Sequence, residues 1–215
     1  ISSGPWLITI LVIGVLGFLQ AGDLGVLSSQ VFRATVVYIY CFSLIGVGIL
    51  QMPLTRYLAD LLFTRDIEMY LPTYVAALAL VGVAQLLFAV PIVLIYSDWT
   101  FFYAFQALSL YLVVSFIWIA MIFLSAAKDF TSISVAFIAG GAVSIAGALV
   151  LGRSRGIEGY LAGYTAGQFL LFLLLTLRMV HEFPSRLPPS FDFLRTCRAF
   201  PLLMLIGFLY NAAIW

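Results

Sequence analysis

The chain has 215 residues, 64% of them hydrophobic and only 9% charged, with a formal net charge of +1. A soluble domain carries ~25% charged residues, so this composition cannot cover a water-facing surface of the size required. The near-zero charge also offers no basic field for nucleic acid.

The chain opens at Ile1-Ser2-Ser3-Gly4-Pro5, without an initiator Met, and runs directly into an apolar segment. It stops at Trp215 inside another apolar run. The expectation is the first part of a longer, transporter-sized protein. The first segment has no basic n-region and is longer than the about 7–15 apolar residues of a cleavable signal peptide. Spans are predicted at 5–27, 32–53, 73–96, 100–125, 133–151 and 160–180, with a seventh from 200 onward. Helices of about 20 residues, at 1.5 Å rise per residue, cross the roughly 30 Å hydrocarbon core of a bilayer. The predicted fold class is an all-α polytopic membrane protein. Residues 1–181 form a six-helix bundle, 182–199 a proline-rich cytoplasmic linker, and 200–215 the start of a second bundle.

Orientation is read from Lys and Arg, which collect on the cytoplasmic side. The connections after spans one, three and five hold Arg33, Arg153 and Arg155. Those after spans two, four and six hold Arg56, Arg65, Lys128, Arg178, Arg186, Arg195 and Arg198. The even connections are therefore expected in the cytoplasm, together with Ile1. Within 54–72, Leu58, Leu61, Leu62 and Phe63 are expected against the bilayer edge while Arg56, Asp60, Arg65 and Glu68 face water. Pro184, Pro188 and Pro189 end a helix and stiffen the linker. Pro5 and Pro201 each stand at the second position of an apolar helix, a weak hint of a parallel internal repeat.

Spans five and six carry small residues at four-residue steps: Ala136, Gly140, Ser144, Ala148 and Gly152, then Gly159, Gly163 and Gly167. Such a stripe lets two backbones approach closely in lipid, and a tight antiparallel hairpin is expected. Tyr96, Trp99 and Tyr103 stand near span ends, where aromatics form an interfacial belt. Tyr111 and Trp118 lie mid-span on one helical face. All nine acids fall in connections or near span ends, with Asp23 the one marginal case and Asp98 beside Trp99. Ion-coupled pumps usually keep a carboxylate at depth. The polar groups available at depth are neutral, and Gln51, Gln85, Gln106 and Gln168, with Tyr111 and Trp118, are the candidate cavity-lining residues. For each of them a plain packing role, against lipid or a neighbouring helix, is the favoured alternative. Cys41 and Cys197 fall at different depths and read as small hydrophobes. The chain has no phosphate-binding GxxxxGK[ST], no metal-spaced His/Cys cluster and one histidine, His181. No catalytic residue, metal or cofactor is expected.

Local sequence adds a family resemblance. The opening ISSGPW resembles the start of the first span in the PelG family, inner-membrane components of Pel exopolysaccharide export. LTRYLADLLFTRD, residues 54–66, is similar to that family's stretch after the second span, here with the core Thr55-Arg56-Tyr57-Leu58-Ala59-Asp60. The resemblance implies a flippase-like fold of about twelve helices in two lobes, related to multidrug and polysaccharide transporters. It implies a nascent amino-sugar polysaccharide as substrate, a cytoplasmic glycosyltransferase that makes it, and membrane partners PelD and PelE. It assigns no substrate contacts. For Thr55, Arg56 and Asp60, loop structure and partner docking both stay open. A cation-coupled multidrug antiporter and a non-transporting scaffold for a synthase are the competing functions.

Overall fold

A computed structural model describes residues 4–23, 25–96 and 99–214. Ile1, Ser2, Ser3 and Asp98 lie outside the described residues, as do the side chains of Asp23 and Tyr96. Helices make up 90% of the described residues, and no strand occurs among them. In order they are α1 (Gly4–Asp23), α2 (Val26–Thr64), a short 3-10 turn (Ile67–Met69), α3 (Tyr70–Tyr96), α4 (Phe101–Ala126), α5 (Phe130–Glu182), α6 (Phe193–Ala199) and α7 (Pro201–Ile214). Four of these are long and apolar enough to cross a bilayer, and a fifth if α6 and α7, which meet at 91°, count as one broken span. The chain is a multi-pass membrane protein.

The longest element, α5, reverses direction at Gly156, where φ is 61° and ψ is −140°. Few residues other than glycine adopt such a conformation. Each leg is long enough on its own, at about 39 Å, to cross a hydrocarbon core. The legs meet glycine to backbone. A side chain at Gly163 would run into the Gly147 carbonyl and the Ala148 amide, and one at Gly167 into Ser144. A Cβ at Gly147 would lie 3.0 Å from the Gly163 carbonyl oxygen. Gly140 faces Leu171, and Gly159 faces the Leu151 carbonyl. Pairs 140/171, 144/167, 147/163 and 151/159 thus define one antiparallel register.

The open end of this hairpin is closed by charge. The Asp129 carboxylate caps α5, accepting from the Ser132 amide at 3.2 Å. It also accepts from Arg178 Nε at 2.6 Å, and Arg178 Nη2 meets Glu182 at 2.9 Å. Burial pushes the Asp129 carboxyl upward, but the Arg178 guanidinium and Ser132 outweigh it and hold the group below its ordinary value of 3.8.

Residues 54–64 differ from their sequence reading. They continue α2 through Pro53 without a break, giving a helix of 39 residues. Leu58 and Leu61 are buried, and this part of α2 packs on α6, whereas Phe63 stays exposed. The apolar face is thus covered by protein in place of the bilayer edge. The linker is likewise tied down. Phe183 stacks on Tyr70 at 4.2 Å, the Ser190 amide donates to the Pro72 carbonyl at 3.2 Å, and Phe193 is fully buried.

Gly163→Leu should drive a side chain into backbone and lower stability by about 3 kcal/mol or more. Thermal unfolding in detergent reads this directly, and an unchanged midpoint would refute the contact. The Asp129 ion pair gives a pH signature. A lowered folded-state pKa adds stability that is fully present above 3.8 and is lost as pH falls through the lower folded value. Arg178→Met should lower stability modestly at neutral pH, since the pair is partly exposed, and should flatten this acid sensitivity. Unfolding midpoints across about pH 6 to pH 3 check both effects.

Candidate functional site

Two polar assemblies sit inside the helical body, and they differ in kind. The first is a closed network. Tyr40 on α2 donates to Gln168 Oε1 at 3.0 Å and lies 3.1 Å from the Tyr164 hydroxyl. Gln168 Nε2 donates to Ser144 Oγ at 3.2 Å, and Ser144 donates to the Tyr164 carbonyl at 3.3 Å. Thr9 of α1 also bonds Tyr40. One turn along α2, Ser43 donates to the Tyr40 carbonyl and accepts from Trp118 Nε1, both at 3.0 Å. The Ser43 carbonyl accepts from Gln85 Nε2 at 3.3 Å, and Gln85 Oε1 accepts from the Tyr111 hydroxyl. Five helices are joined by neutral groups that satisfy one another.

The second assembly is a cleft of about 450 Å³ between α2, α4, the start of α5, and α7. Its polar groups are Gln51 and Thr55 from α2, Ser125 from α4, and Tyr210 and Asn211 from α7. Trp118, Met121, Phe130 and Ile133 supply apolar walls. No charged residue lines it. Its floor is the seam between α2 and α7. Gly207 lies against the Gly48 carbonyl, so the two helices touch backbone to backbone. Asn211 Nδ2 donates to Gln51 Oε1 and to the Gly207 carbonyl, each at 2.8 Å. Asn211 is only 2% exposed, whereas Tyr210 is 47% exposed.

The sequence candidates therefore separate. Gln51 and Trp118 line the cleft. Gln85, Gln168 and Tyr111 stand in the buried network and not among the cleft's lining residues. Gln106 is half-buried on α4, apart from both. Gly140, Ser144, Gly159, Gly163 and Gly167 lie at the interface of the two α5 legs. Thr55 lines the cleft, with its hydroxyl donating to the Gln51 carbonyl at 2.7 Å. Arg56 lies 3.9 Å over the Phe200 ring, at the bend between α6 and α7. Asp60 is exposed, and its backbone carbonyl accepts from Thr64. Asn211, Tyr210 and Ser125 were not singled out from sequence. A lone Asn in an otherwise apolar helix, FLYNAAI, was the available signal for the first.

A comparison with protein families matches residues 1–215, the whole chain, to the family titled "PelG: Putative exopolysaccharide Exporter (EPS-E)". The chain belongs to the PelG family. No curated protein and no solved structure matches it. The family ties the chain to exopolysaccharide export, and its apolar helices fit that setting.

The network and Gln106 make contrasting predictions. Gln168→Leu removes bonds to both Tyr40 and Ser144 and should cost about 1–2 kcal/mol. Gln106→Leu should leave the unfolding midpoint in detergent nearly unchanged. Equal effects of the two substitutions would contradict the assignment.

Proposed function

We propose that this chain forms the first lobe, and the first helix of the second, of a flippase-like transporter that carries an exopolysaccharide across the cytoplasmic membrane. Six transits in residues 1–181, a linker over 182–199 and a two-lobe fold of about twelve helices belong to this reading. The single observation that supports it best is the uncharged cleft between the six-helix body and α7. A wall of amides, hydroxyls and aromatic rings offers hydrogen bonds and stacking to a neutral polymer. It offers no counter-charge to an ion. The lining contains no carboxylate, which favours polysaccharide passage over cation-coupled antiport of drugs.

In this reading the end that carries Arg56, Arg65, Lys128, Arg178, Arg186, Arg195 and Arg198 faces the cytoplasm, and so does the N-terminus. The nascent amino-sugar polymer would arrive there from a cytoplasmic glycosyltransferase. PelD- and PelE-like proteins would be the membrane partners. The docked linker and the Thr55-Arg56-Asp60 region give that end a fixed shape suited to holding them.

Deleting the gene in a cell that makes the polymer should abolish secretion while the cytoplasmic synthase stays active. Normal secretion would refute transport. A scaffold would give the same loss on deletion, so a second variant separates it. Met121→Glu places a carboxylate on the cleft wall, one helical turn further from the charged end of α4 than Ser125. Transport requires that secretion fall at normal protein abundance; a scaffold would tolerate the change.

A further inference from the structure

We propose that the cleft between α2, α4, α5 and α7 is a binding subsite for a neutral pyranose unit of a glycan, recognised by the amide pair Gln51 and Asn211. The inference deepens the transport reading and rests on it. Its starting point is the hydrogen-bond count at that pair. The Asn211 Nδ2 group has two hydrogens, and both are engaged, one on Gln51 Oε1 and one on the Gly207 carbonyl, each at 2.8 Å. The Gly207 carbonyl can only accept, so it is the NH2 end of the Asn211 amide that points at it. Two groups are left over: the Asn211 Oδ1 acceptor and the Gln51 Nε2 donor. Neither is sealed away. Among the described residues the one buried side-chain polar atom without a partner is Ser29 Oγ, on a different part of α2. Both residues line the cleft, and neither leftover atom is both buried and unpartnered.

An acceptor and a donor held side by side match a sugar, which presents both in its hydroxyl or acetamido substituents. The Thr55 and Ser125 hydroxyls add two further adaptable partners at the same wall. Tyr210 and Phe130, 47% and 42% exposed, supply aromatic surface for the C–H face of a ring. Trp118 is pinned from behind by its bond to Ser43, so this wall is pre-organised. The volume of about 450 Å³ lies within the ~300–1,000 Å³ of small-molecule pockets. The absence of lining charge disfavours a phosphate or carboxylate ligand. A lipid tail would leave the amide donor and acceptor unmet.

The test uses the full-length protein in nanodiscs, with tetra-N-acetylchitotetraose and cellotetraose as probes. Tryptophan fluorescence and calorimetry follow binding. At least one probe should bind, and Gln51→Met and Tyr210→Ala should each weaken it about tenfold. Preference for the acetylated probe assigns the amide pair to an acetamido group. Equal binding assigns it to hydroxyls. Either supports the subsite. No binding of either probe, or unchanged affinity in both variants, overturns it. Gln51→Met removes a partner of Asn211 and could loosen α7, so the exposed Tyr210 provides the independent variant. Secretion separates the two levels. If deletion stops secretion while both variants secrete normally at normal abundance, the subsite fails and transport stands. If deletion leaves secretion normal, transport fails, and the subsite loses its role whatever the probes do.

Discussion

Lipid supplies neither hydrogen bonds nor solvation for charge, and the rest of this structure follows from that constraint. Every buried polar side chain among the described residues is neutral: serines, threonines, two glutamines and one asparagine. Tyr40, Ser43, Gln85, Tyr111, Trp118, Ser144, Tyr164 and Gln168 close on one another across α2, α3, α4 and both legs of α5. Such a network fixes how the helices rotate about their axes, because a turned helix would strand a donor or an acceptor in a medium that cannot receive it. Charge is confined to the ends, where Asp129, Arg178 and Glu182 can reach water.

With hydrophobicity equal inside and outside the bundle, close contact has to hold the helices together. Glycine provides it twice. Between the legs of α5, Gly147 and Gly163 bring backbones together on the side of the hairpin toward the Gly156 turn. Between α2 and α7, Gly48 and Gly207 do the same, and the Gln51–Asn211 bond sits directly against Gly48. The two contacts differ in what surrounds them. The α5 interface is walled in by the buried network, whereas the α2–α7 seam borders open space. Polar groups are mutually consumed at the first and partly available at the second. That difference separates a structural core from a surface able to meet a solute.

The helical, membrane-spanning character was legible because composition and run length alone carry it. Family membership was legible in two short strings, ISSGPW and LTRYLADLLFTRD. The placement of polar residues was not. A glutamine in an apolar run announces a need for a partner, and nothing in the run says whether that partner is a neighbouring helix or a solute. Gln85 and Gln51 are alike in sequence and differ only in which helix stands opposite. Asn211 was passed over because its meaning comes from Gln51, 160 positions away. The continuation of α2 beyond Pro53 was hidden for another reason. Its charged and apolar residues alternate as in a surface helix, and only the docking of α6 reveals that the apolar side is covered.

Since α2 runs unbroken for 39 residues, about 58 Å, it is nearly twice as long as the roughly 30 Å hydrocarbon core is thick. One continuous helix thereby carries the tyrosine hub, the glycine seam and the platform beneath α6. Anything that grips its protruding end, whether enzyme, partner or antibody fragment, holds a lever whose other arm reaches the sealed interior. A tilt applied at that end has a continuous helical path to the seam and the hub.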